Sequence, residues 1–469
     1  MIRFLRIPDV LFAYHWRYAK SRLAMRSGGG GAVAARDEVA AGGAVCVPRL
    51  SRVGARARPP SPVRAVHLGL GAFHRAHQAW YTAADPECGI AAYSFRDPTL
   101  PQALTEQDGL FTLLIRGAGE PVAEWVGSIS RAHPGTDTES WLADLAHSAV
   151  GVLTLTITEA GYQVGEGDTA VSRVLAGLRH RHRANGAPIA LVPCDNVADN
   201  GLVLADALRR SACGLEPAFR RWLADDVAVI STVVDRITPA TTDTDRELVS
   251  ELTGFDDHAP VVAEPFSEWL LHGEFPHGRP AWERRGARFV DDLEPYQQRK
   301  LWFLNGAHTV LAYAGLAVGC VTVDEAVHHP EVSALIESWW NTAAQHARLP
   351  AQDLDAYREK LRSRFAAKGI RHRLSQIAVD GSRKIPLRLL PVLKAERAHS
   401  RLPEAVIATL AYWITGLRTA YPVDPDADAL VTAARSADPV RGVLTRIDTE
   451  LAGDAELIQA ITSRAPSRQ

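Results

Sequence analysis

The chain has 469 residues, which is too long for one ordinary domain, so its length predicts two. Apolar residues make up 46% and charged residues 23%, a composition that indicates a globular protein with a large core rather than a disordered chain. The formal net charge of −2 excludes the strong basic field that favours nucleic acid or anionic membrane as a partner. No apolar run approaches the roughly 20 residues of a membrane span.

Residues 1–60 differ in composition from the rest of the chain. They are rich in Arg, Ala and Gly, include four consecutive glycines at 28–31, and end in Arg58, Pro59 and Pro60. Such a segment buries little apolar surface, so a poorly ordered extension is predicted. A targeting peptide is the alternative, since arginines are many and acids few.

From residue 63 to about 290, short apolar runs alternate with amphipathic helical patterns. The predicted strands are 63–68, 90–95, 150–156, 189–192 and 227–233, and the predicted helices between them include 168–182 and 202–211. This alternation favours a mostly parallel, doubly wound sheet covered on both faces. The pattern therefore predicts an α/β, Rossmann-type domain over residues 61–290.

After about residue 295 the strand patterns disappear. Amphipathic patterns at 298–314, 330–345, 354–365, 403–417 and 440–461 predict helices instead. The second domain, residues 291–469, is therefore expected to be mainly helical. There is no long heptad pattern, which favours a monomer.

The first predicted strand runs into a Gly-x-Gly turn of the kind that binds dinucleotides. Gly69 and Gly71 stand between a strand and a helix, where they would let the backbone approach a pyrophosphate. His74 occupies the position of the usual third glycine. Phe73, His74 and Arg75 complete the candidate cofactor loop, in which Arg75 could neutralise a phosphate or serve the structure alone.

Arg96 and Asp97 follow the second predicted strand and bear on the choice of cofactor. An acid there would accept hydrogen bonds from the adenosine ribose, as in NAD, whereas an arginine would suit the 2′-phosphate of NADP. We predict NAD, with NADP as the alternative.

Lys300, Asn305 and His308 share one predicted helix. At about 100° per residue they fall at roughly 0°, 140° and 80°, on one side of an α-helix. A partly desolvated lysine can remove a hydroxyl proton, and amide N–H groups can stabilise an alkoxide. Asn196 follows a predicted parallel strand, at the edge where doubly wound sheets bind ligands. The pattern indicates hydride transfer from an alcohol, although taken alone it also fits a structural helix.

The five cysteines form no metal-binding spacing. They are Cys46, Cys88, Cys194, Cys213 and Cys320. An odd, scattered set without C-x-x-C or Cys/His patterns predicts a reducing compartment and no structural metal. We therefore expect a cytoplasmic, metal-independent protein.

Eight ordered blocks resemble the polyol-specific long-chain dehydrogenases, which include mannitol 2-dehydrogenase and fructuronate (mannonate) reductase. They are GLGAFHRAHQAWYT (69–82), TLTITEAGY (154–162), PCDNVADNG (193–201), VVDRITP (233–239), VVAEPFSEWL (261–270), GRPAWE (278–283), KLWFLNGAH (300–308) and QIAVDGSRKIP (376–386). The resemblance implies a metal-free, NAD(P)-dependent oxidoreductase with a Rossmann-type domain and a helical domain. It would interconvert a secondary alcohol of a polyol or aldonate and the matching ketone.

The resemblance also implies roles for individual residues. Lys300 would be the general base, Asn196 and Asn305 the oxyanion pair, and His308 a contact to a substrate hydroxyl. Asp235 would lie beside the cofactor and substrate.

Two residues depart from the family pattern. Ala160 stands where relatives often have lysine, and Gln297 stands where glutamate is common. The second departure puts in doubt any proton relay through that acid.

A basic stretch at residues 371–384 bears on the substrate. Arg373 and Lys384 are substrate-binding candidates, and the resemblance places Lys384 at the far end of the substrate. Cations there would suit a carboxylate or a phosphate, as in mannonate/fructuronate or mannitol 1-phosphate/fructose 6-phosphate conversion. If these cations serve only the structure, the neutral mannitol/fructose conversion is expected, so all three substrate pairs stay open.

Two hypotheses come from other classes. A catalytically silent NAD-binding sensor would not need the Lys300 group, which therefore argues against it. A 2-hydroxyacid dehydrogenase would need an Arg and a His–carboxylate pair as anchors, which the block around Lys300 fits poorly.

Overall fold

The computed structural model describes residues 47–465 apart from 96, 118, 165–166, 185, 368–371 and 419–422. The strands are β1 Val63–Leu68, β2 Gly89–Tyr93, β3 Phe111–Ile115, β4 Val122–Val126, β5 Ile129–His133, β6 Val152–Leu155, β7 Ile189–Pro193, β8 Val227–Val229, β9 Ser231–Asp235, β10 Val261–Ala263, β11 Glu268–His272 and β12 Arg288–Phe289. They form one six-stranded and two three-stranded sheets.

The six-stranded sheet is parallel throughout, in the order β5-β2-β1-β6-β7-β8. The chain leaves β1 towards β2 on one side, and later returns to pair β6 on the other. The carboxyl ends of β1 and β6 therefore flank the switch point at which such sheets bind dinucleotides. This arrangement confirms the predicted doubly wound, Rossmann-type domain.

Both faces of this sheet are covered because its strands are apolar on both sides. Val66, Leu68 and Tyr93 pack with the helices Thr138–Ala146 and Ala170–Ala184. Ala65 and Ile90 pack on the opposite face. Three further helices of this domain are Asn200–Ser211, Pro217–Asp225 and Asp243–Thr253.

The small sheets were not predicted from the sequence. One has the order β10-β3-β4 and the other β12-β11-β9. The single strand predicted over 227–233 is wrong, because the chain changes sheets at Ile230. Its N–H donates to Leu191 O at 2.8 Å, after which β9 pairs antiparallel with β11.

From residue 294 the described chain is helical, which confirms the predicted second fold class. The helices are Glu294–Arg299, Lys300–Gly306 (a π-helix), Ala307–Ala317, Val323–His328, Pro330–Ala344, Ala351–Phe365, Leu374–Ile377, Gly381–Arg388, Leu390–Arg397, Glu404–Gly416, Ala427–Ala434, Pro439–Ile447 and Ala455–Arg464. The single helix predicted over 440–461 is wrong: the Asp454 side chain accepts from Leu457 N at 3.0 Å and begins a new helix there. Within the described ranges, no helix combines the length and apolarity needed to cross a membrane.

The N-terminal extension is only partly described. Residues 1–46 lie outside the described residues, but 47–60 pack on the Rossmann-type domain. Leu50 is fully buried, and the Arg52 guanidinium donates to Asp108 O, Gly127 O and Ile129 O at 2.6, 2.7 and 3.1 Å. The prediction of poor order is therefore wrong for residues 47–60, because it counted apolar surface and not this hydrogen bonding.

Candidate active site

The helix that carries Lys300 is π-helical from Lys300 to Gly306 and α-helical on either side. In the α-helix expected from the sequence, Lys300 and Asn305 would be 140° apart. A π-turn joins residues i and i+5, so it brings Lys300 and Asn305 one above the other. Both residues line one cleft of about 280 Å³, together with Asn196.

Two indoles and a glycine fix this π-segment. Trp339 Nε1 donates to Trp302 O at 2.8 Å, and Trp340 Nε1 donates to Phe303 O at 2.9 Å. These bonds satisfy buried carbonyls in the irregular turn. A Cβ on Gly306 would lie 2.7 Å from the Trp339 ring, so the close approach of the two helices requires glycine.

Lys300 is held at the junction of the two domains. Its Nζ donates to Asn196 Oδ1 at 2.5 Å and to Val234 O at 2.6 Å. With these two hydrogen bonds made, the charged amine has one N–H left to donate into the cleft, and the neutral amine has its lone pair left there. Burial lowers the pKa of Lys300 below its ordinary value, while Asp235 acts in the opposite direction and Arg364 in the same direction. The amine is thus prepared to exchange a proton.

Asn196 is oriented by Lys300 and by its own loop. Lysine only donates, so the amide oxygen faces Nζ and the amide NH₂ is free to donate elsewhere. The neighbouring Asp195 accepts from Tyr162 Oη and, at 2.9 Å, from Val197 N. The buried Asn200 ties the loop to β9 through Thr232 N at 3.0 Å. The loop therefore presents an amide donor at the carboxyl end of β7.

A buried ion triad lies behind Lys300. Arg364 donates to both oxygens of Asp235 at 2.7 and 2.9 Å, and to both oxygens of Glu264 at 2.8 and 2.7 Å. Burial tends to raise the pKa of Asp235, but Arg364 outweighs it and the net pKa is lowered. Burial raises the pKa of Glu264 despite the same arginine. Asp235, predicted to lie beside cofactor and substrate, is thus placed behind the lysine and paired with Arg364.

His308 packs its ring on Phe365 at 4.9 Å and edge-on to His372 at 5.3 Å. Among the described residues, His308 Nε2 and His372 Nδ1 have no hydrogen-bond partner although both atoms are buried. Burial lowers the pKa of both imidazoles. Two neutral rings with unused nitrogens therefore lie together, one of them three residues after Asn305 on the same helix, and His372 was not predicted.

The two predicted substrate cations are placed differently. Arg373 is exposed, pairs its backbone with Thr322, and has no charged partner among the described residues. Lys384 is half-buried and its Nζ donates to Ile377 O at 3.3 Å.

One helical turn after Lys384 lies Arg388, which was not predicted from the sequence. It donates to Asn305 O and Thr309 Oγ1 at 3.4 and 3.2 Å.

The glycine turn lies between β1 and the helix that begins at Ala72. Gly69 has φ +110°, and a Cβ there would lie 2.3 Å from Thr156 O, so the fold itself requires this glycine. A Cβ on Gly71 would have only Gly69 O nearby, at 3.6 Å. The protein therefore leaves open space at Gly71.

The residues after the turn face inwards. The Phe73 ring stacks on His77 at 5.0 Å, and the fully buried His74 stacks on His67 at 3.4 Å. Arg75 is buried and donates to Ala259 O and Pro260 O. Of the two roles considered for Arg75, the geometry favours the structural one.

Two clefts adjoin this turn. One, of about 510 Å³, is lined by Leu68 and Tyr93 at the carboxyl ends of β1 and β2 and by Gly135 and Thr136. The other is lined by Ala72, Arg75 and Asp97 among others. The Asp97 carboxylate accepts from Thr99 Oγ1 at 2.6 Å and from Thr99 N at 2.8 Å, and these two bonds lower its pKa and fix it at the rim of that cleft. Arg96 lies outside the described residues.

Comparison with known proteins places this arrangement in a family. The profile of the mannitol dehydrogenase Rossmann domain matches residues 63–284, and that of the mannitol dehydrogenase C-terminal domain matches residues 292–465. The chain belongs to the mannitol dehydrogenase family. As a member of that family it is an oxidoreductase, as the resemblance predicted.

Named relatives cover most of this mannitol dehydrogenase family chain. D-mannonate oxidoreductase of Escherichia coli K12 is 31% identical, over 85% of this chain and 87% of its own length. Mannitol 2-dehydrogenase of Aspergillus terreus is 32% identical, over 70% of this chain and 72% of its own. The solved ternary complex of Pseudomonas fluorescens mannitol 2-dehydrogenase with NAD and D-mannitol superposes with a TM-score of 0.74 at 28% identity. The superposition covers 90% of this chain and 94% of the chain in that complex.

Proposed function

We propose that this mannitol dehydrogenase family member interconverts a secondary alcohol of a polyol or aldonate and the matching ketose or keto acid, with NAD as its cofactor. The observation that carries the proposal is the Lys300 amine, held by Asn196 Oδ1 and Val234 O at the carboxyl edge of the Rossmann sheet. It shares its cleft with Asn305, a second amide. The relatives named above are a mannonate oxidoreductase and mannitol 2-dehydrogenases, which supports this substrate class.

The proton chemistry follows from these contacts. Neutral Lys300 keeps its two hydrogen bonds to Asn196 and Val234 and accepts the hydroxyl proton on its lone pair. The amide NH₂ groups of Asn196 and Asn305 donate to the oxygen as negative charge develops on it. His308 Nε2, buried and without a partner in the described structure, is free to hydrogen-bond a neighbouring hydroxyl.

The residues around the glycine turn fit NAD. NAD, when bound, supplies the acceptor for the hydride that leaves the alcohol carbon. Gly71 leaves space that a Cβ would fill, as close approach of a pyrophosphate requires. Asp97 offers a carboxylate to the adenosine ribose, which favours NAD over NADP.

Gly71→Ala is expected to weaken NADH binding at least about tenfold, or about 1.4 kcal/mol, without lowering the melting temperature. The reason is that the new methyl group meets no protein atom closer than 3.6 Å. Fluorescence titration with NADH and thermal unfolding measure the two effects. Gly69→Ala is the contrast, since it should lower the melting temperature through its clash with Thr156 O. Unchanged NADH affinity in Gly71→Ala would place the dinucleotide elsewhere.

The pH dependence should reveal the lysine. Alcohol oxidation needs the neutral amine and ketone reduction the charged one. Because burial lowers the pKa of Lys300, kcat/KM for oxidation should rise through a pKa below the ordinary 10.5, and kcat/KM for reduction should fall through it. Profiles measured in both directions check this. If kcat/KM changes with pH in the same direction in both reactions, Lys300 is not the acid–base group.

The proposed function is tested by following NADH oxidation at 340 nm with fructose, fructuronate, tagaturonate and fructose 6-phosphate in parallel. Reduction of at least one of them supports the proposal. A protein that binds NADH but reduces none of the four would contradict the proposed substrate class and favour the NAD-binding sensor considered from the sequence.

A further inference from the structure

Arg388 is a half-buried cation beside the candidate catalytic residues, and it has no carboxylate partner among the described residues. It ends the helix Gly381–Arg388, which packs on the π-segment that carries Lys300 and Asn305. A guanidinium placed there at a desolvation cost needs a compensating anion.

The geometry leaves one edge of the guanidinium free. Both hydrogen bonds of Arg388 come from Nη1, to Asn305 O at 3.4 Å and Thr309 Oγ1 at 3.2 Å. In the described structure Nε and Nη2 donate to no protein atom. These two nitrogens form the fork that pairs with two oxygens of a carboxylate or phosphate.

The charged groups behind Lys300 pair with one another and not with Arg388. Arg364 is shared by Asp235 and Glu264. His308 and His372 are neutral, because burial keeps their pKa values low. Among the described residues, no carboxylate therefore offsets the positive charge of Arg388.

Lys384 adds a second cation one helical turn before Arg388. The two lie at i and i+4, where like charges repel each other. Burial and Arg388 indeed lower the pKa of Lys384, while Asp380 and Asp424 act in the opposite direction. Asp424 is itself engaged by Ser382 N at 2.8 Å and by Ser382 Oγ. An anion between Arg388 and Lys384 would relieve this repulsion.

We infer that Arg388, assisted by Lys384, binds an anionic group at the end of the substrate chain, so the enzyme acts on sugar acids or sugar phosphates in preference to neutral polyols. The inference rests on the proposed function, since it assigns the far end of the same substrate. The reacting carbon lies at Lys300 and Asn305, the adjoining hydroxyls pass His308, and the anionic end meets the Nε–Nη2 edge of Arg388.

The test compares Arg388→Gln with wild type in the reduction of fructuronate, fructose 6-phosphate and fructose by NADH. Wild type should prefer one of the two anions, which also tells carboxylate from phosphate. Arg388→Gln should lower kcat/KM for that anion by about 10- to 100-fold, mainly through KM. Its kcat/KM for fructose should fall much less, because fructose has no anionic group and loses only what the Arg388 hydrogen bonds to Asn305 O and Thr309 Oγ1 contribute. The KM of wild type for the anion should rise with salt, and this dependence should weaken in the variant.

Two further variants separate charge from structure. Arg383→Gln removes an exposed arginine from the same helix and should behave as wild type with every substrate. Arg388→Lys keeps the charge but loses the fork, so it should fall between wild type and Arg388→Gln. Thermal unfolding of each variant shows whether the fold is kept.

The outcomes separate the two proposals. Equal loss for anionic and neutral ketones, or a wild-type preference for fructose, overturns the inference and leaves the proposed function in place. If no ketone is reduced, the proposed function fails, and calorimetry of mannonate and of mannitol 1-phosphate with the NADH-loaded protein decides the inference. Binding of either anion that Arg388→Gln abolishes supports it, and binding that is absent for both or unchanged in the variant overturns it.

Discussion

Replacing Lys300 with alanine is expected to lower kcat/KM for ketone reduction by at least about 100-fold while NADH binding stays nearly unchanged. The variant loses the group proposed to exchange the substrate proton, whose Nζ contacts Asn196 and Val234 and not the glycine turn. Steady-state rates and NADH titration give the two readouts. A variant with more than about a tenth of wild-type activity would assign the proton transfer to another residue.

Lys300→Arg sharpens this test because arginine keeps the positive charge and cannot give up its proton. It should be as inactive as the alanine variant if Lys300 is the acid–base group, and partly active if only charge matters. Lys360→Ala, at an exposed lysine of the helix Ala351–Phe365, is the matched control and should behave as wild type.

Arg364→Met is expected to lower the free energy of unfolding by about 3–5 kcal/mol. Arg364 is the shared partner of two buried carboxylates, Asp235 and Glu264, which the substitution would leave uncompensated. Urea unfolding followed by fluorescence measures the loss. Arg362→Met is the control on the same helix, because Arg362 pairs with Glu337 at 42% and 41% side-chain exposure, where about 1 kcal/mol at most is at stake. Equal stability of the two variants would refute the role of the triad.

The difference between Arg364→Met and wild type should shrink at low pH. In the wild type the folded-state pKa of Asp235 is lowered, so its contribution to stability is present above the ordinary carboxyl pKa of about 4 and is lost as pH falls through the lowered value. In the variant the unpaired carboxyls hold their protons more tightly than in the unfolded chain, so its stability falls as pH rises. A destabilisation independent of pH would point to packing instead.

The fold could be predicted where one local pattern decided it. Strand–helix alternation gave the parallel sheet, and amphipathic periodicity gave most of the helices. The small sheets were missed because the pairing of β9 with β11 and of β3 with β10 joins segments far apart in sequence. The break at Ile230 was missed because no Gly or Pro marks it, and the β-prone Thr232 and Val233 let the strand pattern run on.

The structure brings together the candidate site residues that belong to contiguous blocks. Lys300, Asn305 and Asn196 lie together in one cleft. Arg364, Arg388 and His372 were missed because each comes from a separate helix or loop and matters only through a partner in space. Arg373 was chosen by proximity in sequence to a basic stretch, which cannot tell an exposed side chain from one facing the cleft.

The π-segment at Lys300–Gly306 also bears on how the site tolerates a change in chain length. A π-turn holds one residue more than an α-turn but covers about the same angle, so deletion of one residue from the segment would let the backbone revert to a regular α-helix. The side chains beyond the segment, His308 among them, would keep their orientation relative to Lys300. The loss would fall inside the segment, on the carbonyls of Trp302 and Phe303 that now accept from two indoles. The widened turn would therefore absorb a one-residue change of length instead of passing it along the helix.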